Sequence, residues 1–160
     1  MMRLMKMLLP VLVLGLTLAS CKKAEDDLMD NKPTDEWYFS CEINGDDYYV
    51  AGQYNAYVAD FTDEFLIYGV DAAGNTLYIS VAKGLAEGTY TMDDEQVFAY
   101  VIYADATTYA TLVEGGSGTL TISKFDGTEA AGTFNFSAPN FDDPTDTAVI
   151  TNGKFNAQFR

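Results

Sequence analysis

Carboxylates are the side chains through which this sequence could carry out chemistry. Its 160 residues include 24 Asp and Glu but no histidine, which excludes Ser-His-Asp and Cys-His catalytic groups and zinc sites built on imidazole. Two carboxylates suffice for glycoside hydrolysis, so a carboxylate-based glycosidase stays open as a distant alternative. We expect solvated turns instead and predict no catalytic residue. The acidic clusters are Asp46/Asp47, Asp60/Asp63/Glu64, Asp93/Asp94/Glu95 and Asp142/Asp143/Asp146.

Calcium is the other ligand that such clusters could take. Asp142, Asp143 and Asp146 lie close together in the sequence around Pro144 and could supply some of the six to eight oxygens that calcium prefers. Neither they nor residues 60–64 match an EF-hand loop, so we treat the three aspartates as weak calcium candidates. No other metal and no cofactor is predicted.

Tyrosine is frequent, with 11 copies, and supports the more specific binding hypothesis. Exposed rings flanked by amides and carboxylates are typical of sugar-binding faces. The candidates are Tyr48, Tyr49 and Tyr78, and Tyr78 points outward if Leu77 and Ile79 face the core. The alternative is that the tyrosines cover a sheet, with rings in the core and hydroxyls in water.

The two cysteines have different surroundings. Cys41 alternates with Phe39 and Ile43, a pattern typical of a strand with one buried face. We therefore expect a small buried hydrophobic residue and no reactive thiol, since no base or cation is adjacent.

The first twenty residues have the features of a secretory signal. Arg3 and Lys6 precede an uncharged run from Met7 to Leu18, which is shorter than the roughly 20 apolar residues that span a bilayer. Residues 18–21, Leu-Ala-Ser-Cys, resemble the lipobox of bacterial lipoproteins. That resemblance implies cleavage after residue 20 and a lipid anchor on Cys21.

Residues 21–36 contain many charges and few large apolar groups, and predict a disordered tether. Glu25, Asp26 and Asp27 resemble the signal that directs some Bacteroidota lipoproteins to the cell surface. We expect an outer-membrane lipoprotein displayed on the surface. If the acids merely make the tether soluble, the domain faces the periplasm.

Charge and length limit the partners and the organisation. The formal net charge of −15 excludes nucleic acid as a plausible partner, because proteins bind phosphate backbones through Lys and Arg. Residues 37–160 suit one domain, which we expect to be monomeric and held at a membrane by lipid.

Period-two alternation of apolar residues runs through residues 37–160 and predicts an all-β domain. Asn44-Gly45 is a favoured hairpin turn, and no segment has a sustained helical stripe. We expect a single antiparallel β-sandwich or barrel of about nine to ten strands. Hairpins are predicted at 65–71/76–82 and 109–114/119–125, with strands near 37–43, 53–60, 96–104, 131–137, 147–150 and 154–159.

A recurring pattern places glycine before alternating polar and apolar residues, beginning at Gly88, Gly118, Gly132 and Gly153. We expect these glycines to supply a positive φ or a bulge where a strand begins. The pattern is structural and carries no chemistry.

Three segments of the second half resemble a family of small, uncharacterised Bacteroidota lipoproteins. They are GTLTISKFDG (118–127), AAGTFNFSA (130–138) and ITNGKFNAQF (150–159), which follow the lipobox. The resemblance implies an exported, lipid-anchored β domain and brings no activity and no functional residues.

The sequence therefore favours a non-enzymatic binding or accessory module at the cell surface, with a glycan or a protein as its ligand. The alternative is a structural envelope lipoprotein without a small ligand.

Overall fold

The computed structural model describes residues 36–92 and 96–160. The predicted signal peptide, Cys21, nearly all of the predicted tether and the cluster Asp93/Asp94/Glu95 lie outside the described residues. The described part is all-β, as predicted, and none of its segments forms a helix with the length and hydropathy that a membrane crossing requires.

Eleven strands are present in the described residues, against the nine to ten expected. They form one sheet that is antiparallel apart from a single pair and that curls into a half-barrel. The strands are β1 (Tyr38–Ile43), β2 (Asp46–Ala51), β3 (Ala56–Asp60), β4 (Glu64–Val70), β5 (Thr76–Ala82), β6 (Gly88–Thr91), β7 (Val97–Ile102), β8 (Thr108–Ala110), β9 (Ser117–Phe125), β10 (Glu129–Pro139) and β11 (Thr147–Phe159).

The strand β11 joins the two halves of the sheet. One of its edges pairs with β10, while the other pairs with β1 and then, at Gln158 and Phe159, with β3 in the one parallel contact. The order through the sheet is β6-β9-β10-β11-β3-β4-β5-β7-β8. Register shifts in β1, β10 and β11 mark bulges, which bend strands and increase their twist.

Local turn chemistry sets the first hairpins. Asn44 and Gly45 have φ values of 54° and 89°, as the favoured two-residue turn requires, and β1 pairs with β2. The predicted hairpin between β4 and β5 is also confirmed. Its turn is closed by Asp71, whose Oδ1 accepts hydrogen bonds from the backbone N–H groups of Ala73 and Asn75.

The second predicted hairpin is wrong. The strand β8 pairs with β7, and β9 pairs with β6 and β10. Thr111 holds the chain against β7, because its backbone N–H donates to the Ala99 carbonyl and its hydroxyl accepts from the Ala99 N–H, both at 3.0 Å. Tight turns at Val113 and Gly116 then direct the chain away from β8. The segments expected at 147–150 and 154–159 are one continuous strand, β11, with Asn152 at a φ of 54°.

The core lies inside the curl of the sheet. Phe39 packs against Phe134 and Phe155, with ring centroids 4.9 and 6.4 Å away. Gly69 leaves the space that Phe39 occupies, since a Cβ there would lie 2.7 Å from the Phe39 Cγ. Strand β4 is thereby brought close to β1 across the core.

The repeated glycines allow strands to approach closely. Gly118, Gly132 and Gly153 do not adopt positive φ, which corrects that part of the expectation. A Cβ at Gly132 or Gly153 would collide with a backbone carbonyl of the neighbouring strand, that of Thr121 or Phe134. Bulges do adjoin these two glycines, although both lie within strands.

Candidate functional site

Four tyrosines lie directly opposite one another on four neighbouring strands. Tyr57 on β3 pairs with Tyr68 on β4, Tyr68 with Tyr78 on β5, and Tyr78 with Tyr100 on β7. Because cross-strand partners share a face of the sheet, all four are on the outer side, away from the core. The prediction that Tyr78 faces outward is confirmed, with the neighbouring Leu77 and Ile79 buried.

The four rings stack into a continuous row that Phe141 extends. Successive ring centroids are 4.9, 5.4 and 4.9 Å apart from Tyr57 to Tyr100, and Phe141 follows at 6.0 Å. We call these five residues the aromatic ladder. The contacts Tyr57–Tyr68, Tyr78–Tyr100 and Tyr100–Phe141 are within 21° of parallel and fit offset stacking, while Tyr68 and Tyr78 are tilted by 43°. The ladder therefore presents mainly ring edges and hydroxyls to solvent.

The two ends of the ladder differ. At one end the Arg160 guanidinium carbon lies 4.0 Å from the centre of the Tyr57 ring and 4.9 Å from that of Tyr54, so a cation covers the terminal ring. At the other end Phe141 is 51% exposed, and its backbone N–H donates to the Thr108 carbonyl at 3.0 Å. This end of the row is open.

Burial and nearby groups raise the pKa of three ladder tyrosines, Tyr68, Tyr78 and Tyr100. Burial raises the pKa of Tyr78, with further contributions from Tyr100, Tyr68 and the Glu64 carboxylate. Burial and Glu64 likewise raise the pKa of Tyr100. Within the described part of the chain, no hydrogen bond engages the hydroxyl of any ladder tyrosine. Each hydroxyl is therefore available to donate to a ligand.

The rows on either side of the ladder are partly apolar. Two residues along the strands in one direction lie Val70, Thr76 and Ile102, and in the other direction lie Leu66, Ser80 and Phe98, of which Leu66 and Ser80 are buried. Antiparallel sheets with one buried face normally carry polar residues on the other. The outer surface of β3, β4, β5 and β7, which we call the aromatic face, departs from that rule.

A shallow recess of about 150 Å³ adjoins the aromatic face. The Glu64 carboxylate accepts a hydrogen bond from the hydroxyl of Ser80, which is almost fully buried. The ring of Phe98 forms one wall and packs edge-to-face on Tyr100 at 5.9 Å. The lining residues are Asp63, Glu64, Ser80, Ala82, Gln96 and Phe98.

The outer surface of β6, β9, β10 and β11, here the polar face, follows the usual rule. Thr89 and Thr121 exchange a hydrogen bond of 3.0 Å across two strands, and Thr133 is exposed beside them. A shallow cleft of about 480 Å³ on this side has no charged side chain in its lining, which combines hydroxyl and amide side chains such as Thr119, Asn135 and Thr151 with apolar ones, including the exposed Val149.

The three predicted tyrosines have different environments. Tyr48 is buried, and its hydroxyl donates to the carbonyls of Gly69 at 2.8 Å and Asn75 at 3.2 Å. The Tyr48 hydroxyl is thus engaged within the fold, where it holds β2 against the core. Tyr49 is 48% exposed on β2, away from the ladder strands. Tyr78 is in the centre of the ladder.

The three calcium candidates have separate environments. The Asp143 carboxylate accepts from the Thr145 hydroxyl and N–H at 2.7 and 3.1 Å, which lowers its pKa. The Asp146 Oδ2 accepts from the Tyr109 hydroxyl at 2.6 Å, and Asp142 is exposed. Among the described residues no three acidic or cysteine side chains are grouped so that they could hold a metal ion.

Cys41 is buried in the core, as predicted, and is a free thiol. Burial, with a smaller effect of Glu42, raises its pKa to about 12. It is therefore a packing residue. The predicted lipid attachment site, Cys21, lies outside the described residues.

The sequence did not indicate that Tyr57, Tyr68, Tyr100 and Phe141 lie beside Tyr78, and Glu64 was considered only as a member of the acidic cluster Asp60/Asp63/Glu64. Each tyrosine alternates with small or apolar neighbours that are buried on its own strand, and this pattern in the sequence indicates that its side chain faces outward. That the four face one another depends on strand pairing, which their local sequences do not encode.

A family model described as a domain of unknown function (DUF6252) matches residues 38–157. The match begins at the first residue of β1 and ends within β11, so it covers most of the chain and starts after the predicted tether. No curated protein matches the chain, and no solved structure does.

Proposed function

This chain belongs to the DUF6252 family, and we propose that it is a non-enzymatic, lipid-anchored binding module that docks a protein partner on its aromatic face. The observation that carries the proposal is the aromatic ladder. Exposed apolar surface concentrated on one face marks interaction sites in soluble domains, and tyrosine is enriched among the residues that dominate binding energy.

The contrast between the two outer faces supports this assignment. Both cover the same core, yet among the residues that the structure describes only the β3, β4, β5 and β7 side carries stacked rings on its outer surface, with Val70 and Ile102 beside them. The polar face carries threonines such as Thr121 and Thr133 at equivalent outward positions. Solubility alone does not account for such an asymmetry.

The stacking geometry favours a protein over a glycan. A sugar ring packs on an open aromatic face, but Tyr68, Tyr78 and Tyr100 each have a ring neighbour on both sides. What the ladder offers is a row of edges and hydroxyls on a rigid strand surface. Ring edges suit edge-to-face contacts with apolar and aromatic side chains of a protein, and the hydroxyls suit its backbone carbonyls.

The proposal includes the location. Cys21 would carry the lipid, two or more acyl chains would make the anchoring stable, and residues 21–36 would hold the domain clear of the outer membrane. The acids Glu25, Asp26 and Asp27 favour display on the cell surface. Substituting Cys21→Ser should move the protein from the membrane fraction to the soluble fraction, and retention in the membrane would contradict the anchor.

A binding screen of the full chain against immobilised envelope proteins and glycans tests the function. We expect a protein ligand whose affinity falls about 30-fold or more in Tyr68→Ser/Tyr78→Ser, as for residues that dominate an interface. The matched control, Thr121→Ser/Thr133→Ser, changes the polar face and should bind normally. Glycan binding through the ladder would overturn the ligand class. Binding by neither class, or equal binding by both variants, would overturn the function.

A further inference from the structure

Unlike the aromatic ladder, the recess beside it is lined by carboxylates. Two carboxylates, Asp63 and Glu64, line it together with a hydroxyl, an amide and the Phe98 ring. The Ser80 hydroxyl donates to Glu64, so the carboxylate is held in place at the mouth of the recess. Its remaining lone pairs can accept from a ligand.

The chain supplies no cation to this recess from its described residues. The nearest lysine in the sequence of the neighbouring turn, Lys83, pairs with Asp60 at 2.6 Å and lies over the Phe65 ring, 5.2 Å from its centre. The ion pairs within the described part of the chain leave out both Asp63 and Glu64.

The negative charge at Glu64 also extends over the ladder. It contributes to the raised pKa values of Tyr68, Tyr78 and Tyr100, which are spread over three strands. A partner that covers these rings therefore meets a negative potential, in a chain whose net charge is already −15. A second copy of the same chain would be repelled, whereas a basic segment would be attracted.

We propose that the recess receives a cationic side chain, an arginine or a lysine, from the protein that docks on the aromatic face. The inference rests on the proposed function and specifies the chemistry of the partner. A volume of about 150 Å³ compares with about 30 Å³ for a water molecule in the liquid, so one guanidinium or ammonium group can enter. The Phe98 ring offers an apolar wall, and Glu64 and Asp63 offer acceptors for charge-assisted hydrogen bonds.

The ladder provides an example of the same chemistry within the chain. At its far end Arg160 covers Tyr57 and Tyr54 with its guanidinium group. In the recess the carboxylates add charge to such an aromatic contact, and a guanidinium is well suited to both because it is planar and weakly hydrated.

Amide NMR of the full chain, titrated with N-acetyl-arginine amide, tests this inference. The backbone amide signals of Glu64, Ser80 and Phe98 should shift and saturate. The neutral isostere N-acetyl-citrulline amide should leave them in place. Glu64→Gln keeps an acceptor for Ser80 and should weaken arginine binding about fivefold, the upper range for a partly exposed ion pair. The control Asp47→Asn, on the hairpin of β1 and β2, should have no effect on arginine binding.

Equal shifts with citrulline, or arginine shifts that Glu64→Gln does not weaken, would overturn the cation site. That failure would be distinguishable from failure of the proposed function. If Tyr68→Ser/Tyr78→Ser loses the protein ligand while the recess does not bind arginine, the aromatic face remains the docking surface. Only the chemistry assigned to the recess is then wrong.

Discussion

The rings of Tyr78 and Tyr100 lie 4.9 Å apart, with their planes 17° from parallel, on the adjacent strands β5 and β7. This contact is the closest to parallel among the tyrosine pairs of the ladder, and it holds two hydroxyls side by side on the outside of the sheet. A stack on the surface should stabilise the sheet, and under the proposed function it also forms the contact surface for a partner. The two roles can be separated by experiment.

The ladder should contribute to stability as well as to binding. Tyr78→Ala removes the ring contacts with Tyr68 and Tyr100, each worth about 0.5–1.5 kcal/mol. The free energy of unfolding should therefore fall by about 1–3 kcal/mol. Urea denaturation measures it. Thr133→Ala, on the polar face, is the control and should change it by less than about 0.5 kcal/mol. Equal effects would mean that the rings do not support one another.

The hydroxyl of Tyr48 should contribute inside the core. Tyr48→Phe removes the hydroxyl that donates to the carbonyls of Gly69 and Asn75, which should cost about 1–2 kcal/mol of unfolding free energy. Tyr54→Phe removes a hydroxyl from a side chain that is 74% exposed and should be neutral in the same denaturation experiment. A neutral Tyr48→Phe would show that the hydroxyl plays no structural part.

Gly153 should tolerate no side chain. Gly153→Ala places a Cβ against the Phe134 carbonyl and ring, and forcing β10 and β11 apart should cost about 2 kcal/mol or more. Gly127→Asn is the matched control, since Gly127 has a φ of 82° with open space around it and Asn tolerates that conformation. A thermal melt of both variants checks the difference. If both were equally stable, close strand approach would not explain the repeated glycines.

Stability should depend on the Cys41 thiol at alkaline pH. Its pKa is raised from 9.0 to about 12 by burial and by Glu42. Folding therefore favours the neutral thiol, whose contribution is complete below pH 9 and is lost as the pH rises toward 12. The slope is at most about 1.4 kcal/mol per pH unit. Urea midpoints of wild type and Cys41→Val, measured between pH 9 and pH 12, separate the contribution of the thiol from that of the tyrosines, because both proteins contain the same tyrosines. Parallel curves would contradict the assignment.

Local sequence predicted the parts of the fold that depend on local chemistry. Asn44-Gly45 specified its hairpin because two residues with positive φ fit that turn. The hairpin predicted between 109–114 and 119–125 is wrong because Thr111 forms hydrogen bonds with the Ala99 backbone on β7. No local sequence pattern indicates that contact. Likewise β3 reaches its place by a parallel pairing with the far end of β11.

The difference between local pattern and long-range pairing also explains which parts of the candidate site could be predicted. The outward position of Tyr78 followed from alternation, and the inward position of Tyr48 was readable from Val50, which shares its face and is buried. The ladder required more, because Tyr57, Tyr68 and Tyr100 meet Tyr78 only when four strands are paired in one register. Phe141 joins from a loop whose position depends on its bond to Thr108.

Photo-cross-linking in living cells tests the docking surface most directly. A photoreactive phenylalanine analogue would replace Phe98 or Ile102 on the aromatic face and, as controls, Thr133 or Asn135 on the polar face. We expect adducts with a discrete protein from positions 98 and 102, lost in Tyr68→Ser/Tyr78→Ser, and none from positions 133 and 135. Adducts that form equally from both faces, or only from the polar face, would contradict it.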